Sequence, residues 1–206
     1  VSLLENGPAV EHVLFHAGAA QAMRTGTLFI DMASIQPREA RDHAARLGEM
    51  GLAHLDAPVS GGTVGAENGT LAIMAGGRAE DFARAQPVFA ALGRATHVGP
   101  HGSGQLAKLA NQMIVGITIG AVAEALLFAA KGGADMARVR EAIQGGFADS
   151  RILQLHGQRM VDRDFAPKAR MGVQLKDMRN ALGTAKEIGF DAPVTTLFEA
   201  LYPEGV

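Results

Sequence analysis

The chain has no cysteine among its 206 residues, which excludes disulfides and thiolate metal sites and suits a reducing cytoplasm. It also has no tryptophan and a single tyrosine, so it offers little aromatic surface for stacking nucleic-acid bases. A large charge of either sign is missing too. Nineteen basic and 21 acidic side chains leave a formal net charge of −2, without the basic footprint of a nucleic-acid binder or a polybasic membrane patch. No signal peptide stands out, and the apolar run Met113 to Val122 is short for a membrane span and broken by glycines. What is present suits a folded protein: 48% hydrophobic and 19% charged residues, enough for one large domain or two small ones.

The first half of the chain alternates helical and strand patterns. Pro8 to Met23 carries apolar residues at Val10, Val13, Leu14 and Met23, and predicts a helix followed by a loose turn. Thr27 to Met32 predicts a strand, and Pro37 to Met50 a helix with proline in its first turn and Gly51 beyond its end. Strands over Leu52 to Leu55 and Thr70 to Ala75, a helix from Ala79 to Leu92 and a short strand over Thr96 to Val98 follow. Such alternation argues for an α/β sheet with parallel members. After Gly104 the pattern is helical only: Gln105 to Ala130, Met136 to Gln144, Asp149 to Val161 and Gln174 to Ile188. Asp135 and Asp149 are the expected N-caps, and Gly132-Gly133 the expected C-cap of the long helix. The change of character falls at residues 99–104, where Gly99-Pro100-His101-Gly102 punctuates the chain.

Lys108 is the only charge in the long helix before Glu124. Desolvation disfavours an ammonium, so a lysine in apolar surroundings is either paired or used, or its stem packs while its head reaches water. Asn111 and Gln112 follow it at helical spacing, and a cation beside two amides suits an oxygen-bearing ligand. A second segment, Asp56-Ala57-Pro58-Val59-Ser60-Gly61-Gly62, leaves a strand at a proline that should end it. Ser60, Gly61 and Gly62 then offer a hydroxyl and bare backbone N–H groups suited to a carboxylate, or they form an ordinary turn. The histidines at 54, 97, 101 and 156 show no metal spacing, and His12 and His16, four apart, have no third ligand after them.

Together these segments resemble the β-hydroxyacid dehydrogenases, the family of 3-hydroxyisobutyrate dehydrogenase, tartronate semialdehyde reductase and, more distantly, 6-phosphogluconate dehydrogenase. The likeness rests on DMASIQP at 31–37, DAPVSGG at 56–62, GSGQLAKLANQ at 102–112, DFAP at 164–167 and LKDM at 175–178. It implies an α/β then all-α chain. A partial Rossmann-like doubly wound sheet over 1–101 would bind NAD or NADP, and a 6-phosphogluconate dehydrogenase-like helical domain over 102–206 would serve substrate binding and dimerisation. On this resemblance Lys108 is the catalytic general acid/base, while Ser60, Gly61, Gly62, Asn111 and Gln112 hold a small carboxylate substrate. Leu3, Leu4, Ser34 and Lys176 approach the cofactor, and no metal takes part. The Asn111-Gln112 pair is similar to the tartronate semialdehyde reductase branch, as is Gly145-Gly146-Phe147-Ala148-Asp149-Ser150, although Asp149 departs from its small residue and reads instead as a helix cap. Without the resemblance, Lys176 reads as a surface lysine paired with Asp177 or a helix neighbour. The resemblance further implies a cytoplasmic homodimer or homotetramer joined through the long helix, whose Gly116 and Gly120 allow close packing.

These residues depart from the family's pattern in several places. Ala33 replaces a common serine, Ser34 a threonine and Glu5 a proline. The G-x-G-x-x-G dinucleotide fingerprint is not among the 206 residues, nor is the residue that selects NAD or NADP. Val1-Ser2-Leu3-Leu4 reads as the end of a strand already under way, and Tyr202 to Val206 stops short of the family's last helical segment, so both ends read as cut. Two further readings follow: a catalytically silent homologue serving as a ligand-binding or dimerisation module, or an imine reductase, against which Lys108 argues.

Overall fold

Two parallel β-α-β units form the frame of the N-terminal half. The computed structural model describes residues 1–166 and 170–205; Pro167 of the DFAP segment and Val206 lie outside them. β1 (Leu28–Asp31) runs into α3 (Pro37–Glu49) and returns as β2 (Ala53–Asp56), parallel to β1 with Asp31 beside Asp56. β4 (Leu71–Gly77) runs through α5 (Ala79–Leu92) to β5 (Gly93–Gly99), again parallel. The two units meet where β4 lies antiparallel to β2, so the sheet is mixed. Ser2 adds an isolated parallel bridge beside Asp31 at the β1 edge.

Pro58 interrupts its strand without ending it. The chain resumes as β3 (Val59–Ser60) along the same neighbour, β4, and Met74 N–H donates to the Pro58 carbonyl across the gap. Proline forfeits only its own donor. Side chains alternate across β1 and fill both faces. Phe29 joins Val10, Leu14, Ala40 and Leu47 in one core cluster, while Ile30 joins Leu55, Ile73 and Phe89 of the other. Helices therefore cover both faces, as in a doubly wound sheet.

The predicted helix over 8–23 is three pieces: α1 (Gly7–Glu11), a π-turn over His12–His16 and α2 (Ala19–Ala22). Gly18, at φ +83°, breaks the run, and Ala17 N–H bonds back five residues to His12. Asn6 caps α1, its side-chain oxygen accepting from Ala9 N–H. Two helices were not evident from pattern: α4 (Gly62–Glu67), directly after the glycine pair, and α10 (Pro193–Leu201).

Residues 1–110 and 111–206 form two compact units, with the division inside the 29-residue α6 (Ser103–Lys131). In the second unit Val122 and Leu126 of α6 pack with Leu153 of α8 (Arg151–Asp162) and with residues of α7 (Met136–Ile143). α9 (Met171–Glu187) and α10 close on α6 at its glycines. A Cβ on Gly116 would lie 2.7 Å from Gln174 Nε2, and one on Gly120 would overlap the Phe198 ring. Asp135 caps α7 as expected, accepting from Arg138 N–H. Asp149 does not cap α8: Ser150 does, accepting from Leu153 N–H. The Asp149 carboxylate instead accepts from Gly145 N–H at 2.9 Å and from the Gln154 side chain, which closes the 145–149 loop. By length and composition α6 could cross a membrane, the one such helix among the described residues, but buried core helices pass the same test.

Candidate active site

The carboxyl edge of β1 and β2 carries two buried carboxylates side by side, Asp31 and Asp56. Asp31 Oδ1 accepts from the Ser2 hydroxyl at 3.0 Å and from Ala33 N–H at 3.1 Å. Asp56 serves the start of α6, accepting from Gly102 N–H at 2.8 Å and Gln105 N–H at 3.0 Å, so its charge sits at the positive end of a long helix. Burial outweighs these bonds and pushes both carboxyls up to about 6.

Gln105, which the sequence showed only as the start of the long helix, is fully buried. Its side-chain oxygen accepts from Ile35 N–H at 3.1 Å and its amide donates to the Ala33 carbonyl at 2.8 Å. Those two groups flank Ser34, so one side chain fixes the loop after β1 and leaves Ser34 half-buried at the carboxyl edge. Lys108 follows Gln105 by three residues on α6, half-buried beside the buried Leu109. Ser60 ends β3 opposite Ala72. Gly61 and Gly62 follow on the surface at φ +138° and +63°, values that favour glycine. Leu3 is exposed, and Leu4 packs against the first core cluster.

In the second unit, Asn111 and Gln112 of α6 join a polar network with α9. Asn111 Nδ2 donates to Gln112 Oε1 at 2.9 Å, and Gln112 Nε2 donates to Asp177 Oδ2 at 2.7 Å and to Gln174 Oε1 at 3.2 Å. Lys176 Nζ lies 3.1 Å from the other oxygen of Asp177, a carboxylate that is 2% exposed. A buried carboxylate held by an ammonium and an amide is not a solvated surface pair. Gln174 escaped sequence reasoning, and Asp177 entered it only as a partner for Lys176, a pairing that is present, without its bond to Gln112. Two surface clefts, 330 Å³ beside Glu39 and His43 and 500 Å³ beside Leu182 and Phe190, contain none of these residues.

Comparison with known proteins gives a consistent result. The family pattern described as the NAD binding domain of 6-phosphogluconate dehydrogenase matches residues 1–100. That described as NAD-binding of NADP-dependent 3-hydroxyisobutyrate dehydrogenase matches residues 102–206. The 2-hydroxy-3-oxopropionate reductase of Escherichia coli is 46% identical over 97% of this chain and 69% of its own length. The 3-hydroxyisobutyrate dehydrogenase of Pseudomonas aeruginosa is 36% identical over 98% of this chain and 71% of its own length. A solved structure of the Mycobacterium tuberculosis 3-hydroxyisobutyrate dehydrogenase with L-serine superposes with a TM-score of 0.89 at 30% identity, covering 98% of this chain and 72% of that one.

Proposed function

The chain belongs to the β-hydroxyacid dehydrogenase family, and on that premise we propose that it serves an NAD(P)-dependent oxidoreductase that reduces tartronate semialdehyde, with 3-hydroxyisobutyrate as the related substrate. The observation that carries this reading is Gln105: one buried side chain joins the Ser34 loop to the turn of α6 that precedes Lys108. The preference for the semialdehyde rests on the higher identity to the Escherichia coli reductase and on the Asn111-Gln112 pair.

Residues 1–101 form the cofactor domain and 102–206 the substrate and assembly domain in this proposal. Ser34 fits a nicotinamide cofactor, since it stands half-buried on a locked loop at the carboxyl end of a parallel strand, where open α/β sheets take ligands. Leu3, Leu4 and Lys176 complete the proposed cofactor contacts. When bound, the nicotinamide supplies or accepts the hydride. Lys108 Nζ holds the proton: in reduction it passes to the carbonyl oxygen as the carbonyl carbon becomes CH–OH, and in oxidation the amine takes it back. The hydroxyl of Ser60 and the exposed backbone at Gly61 and Gly62 receive the substrate carboxylate, while Asn111 and Gln112 orient its oxygens. Asp177 and Gln174 take both N–H groups of Gln112, so its Oε1 is the atom that can accept a substrate hydroxyl.

Only 17% of the most apolar window of α6 is buried by the chain itself, and Ile114, Leu127 and Phe128 stand exposed on it. A second copy covers this surface in the proposed cytoplasmic homodimer or homotetramer. The test uses the full-length protein and follows nicotinamide absorbance with each substrate. Lys108→Met should abolish turnover and leave cofactor affinity unchanged; near-normal turnover would refute the proton-transfer role. Wild-type protein that binds hydroxy acids yet never changes nicotinamide absorbance would favour the silent binding module.

A further inference from the structure

His54 and Asp56 lie two apart on β2, so their side chains share one face of the strand. His101 reaches the same place from the turn before α6. The donor atoms of the three residues all lie within 4.8 Å of one another. The sequence spacing gave no hint of this, because the third residue arrives by way of β4, α5 and β5.

His54 is the unusual member. It is 2% exposed, its ring stacks on Phe29 at 6.1 Å, and neither ring nitrogen has a hydrogen-bond partner among the described residues. His101 Nδ1 is likewise buried without a partner among them, and the two imidazoles lie 5.7 Å apart. Buried polar atoms are almost always satisfied, by protein, water or an ion. Asp56 accepts from the Gly102 and Gln105 N–H groups, with the Gly104 N–H and its own also bonded to the carboxylate, so an ion would share this carboxylate with the start of α6.

We propose that His54, Asp56 and His101 bind one divalent transition-metal ion of the zinc or cobalt class, which pins the turn before α6 to the end of β2. Two imidazoles and one carboxylate suit such borderline ions better than magnesium or calcium, which prefer all-oxygen sites. Three protein ligands leave the remaining position to water. Metal–ligand bonds of about 2.0–2.1 Å place tetrahedral donors about 3.3 Å apart. The three donors therefore close inward on binding, chiefly by rotation of the His101 ring, which is only partly buried and gives the ion its route in. Gly77 leaves space for that rotation: a Cβ there would lie 3.2 Å from His101 Cε1 and 3.0 Å from the His54 carbonyl. The site is independent of the oxidoreductase reading.

The experiment is a titration of the chelator-treated protein with cobalt(II), read by visible absorbance and calorimetry, with thermal unfolding recorded with and without the ion. The exposed, stacked pair His12 and His16, 5.9 Å apart, is the competing site, so a His12→Ala/His16→Ala double variant is the control. One ion per chain is expected in wild type and in that control, with a rise in unfolding temperature. His101→Ala should weaken binding at least tenfold and lose the thermal shift, and His54→Phe should do the same. If His54→Phe fails to fold, His101→Ala, at a partly buried position, decides alone. The proposal is overturned if cobalt does not bind, or if His101→Ala leaves its affinity unchanged, whatever the His12/His16 variant does.

Discussion

Replacing Gln105 with leucine removes one donor and one acceptor from a fully buried position. The Ile35 N–H and the Ala33 carbonyl, now bonded to it at 3.1 and 2.8 Å, would be left unpaired. Each unpaired buried group costs about 1–3 kcal/mol. Two such groups cost about 2–6 kcal/mol and burial of the leucine side chain returns about 1.5–3 kcal/mol, so the net loss centres on roughly 2 kcal/mol. Gln105→Glu separates hydrogen bonding from shape. One carboxyl oxygen can still accept from Ile35, but the other faces a carbonyl and must carry a proton to donate. The folded form then titrates above the ordinary glutamate value of about 4.3. A group whose folded pKa is raised stabilises fully below its unfolded pKa, and that stability is lost as pH rises through the folded pKa. The glutamate variant should therefore match wild type near pH 4, at roughly the unfolded pKa, and fall towards the leucine variant at neutral pH. Urea denaturation followed by circular dichroism at both pH values measures this. A leucine variant within about 0.5 kcal/mol of wild type, the range of ordinary surface substitutions, would refute the clamp, as would a glutamate variant indifferent to pH.

Further outcomes follow from other buried groups. The folded pKa of Asp31 is raised to about 6 from an ordinary 3.8, so its contribution is complete below the ordinary value and disappears as pH rises through 6. The shift corresponds to about 3 kcal/mol at most; Asp31→Asn should flatten that fall, and pH–stability curves parallel to wild type would contradict the assignment. Asp177→Asn keeps an acceptor for Gln112 but removes the charge beside Lys176. It should weaken cofactor affinity by about tenfold, or ~1.4 kcal/mol, and unchanged affinity in a titration of the full-length protein would remove Lys176 from the proposed cofactor contacts. Gly120→Ala should destabilise by about 1–3 kcal/mol through overlap with Phe198. In a Phe198→Ala background the same change should stabilise, by roughly the 1 kcal/mol helix preference for alanine; additive effects in thermal unfolding would rule out the contact.

Much of the frame was legible because local rules decide it. Periodicity and capping located α5 at Ala79–Leu92 and α3 from Pro37, since apolar spacing and a first-turn proline act within a few residues. Asp135 capped its helix, but Asp149 did not. The serine beside it has the shorter side chain for the N3 amide, and the aspartate closes a loop instead. β5 runs from Gly93 to Gly99, beyond the predicted Thr96 to Val98, because pairing along β4 recruits residues of low strand preference. The π-turn after α1 has no periodic signature.

By itself the sequence determined the two-part character of the chain, the motifs that mark its family and the placing of Lys108 on a long apolar helix, because each of these is written in neighbouring residues. The tertiary structure alone decided that Asp56 caps α6, that Gln105 clamps the Ser34 loop, that Asp177 holds the Gln112 amide, and that His101 converges on His54 and Asp56. Each of those contacts joins residues that strand pairing and helix packing bring together across tens of positions, and buried polar atoms there find partners that only the fold supplies.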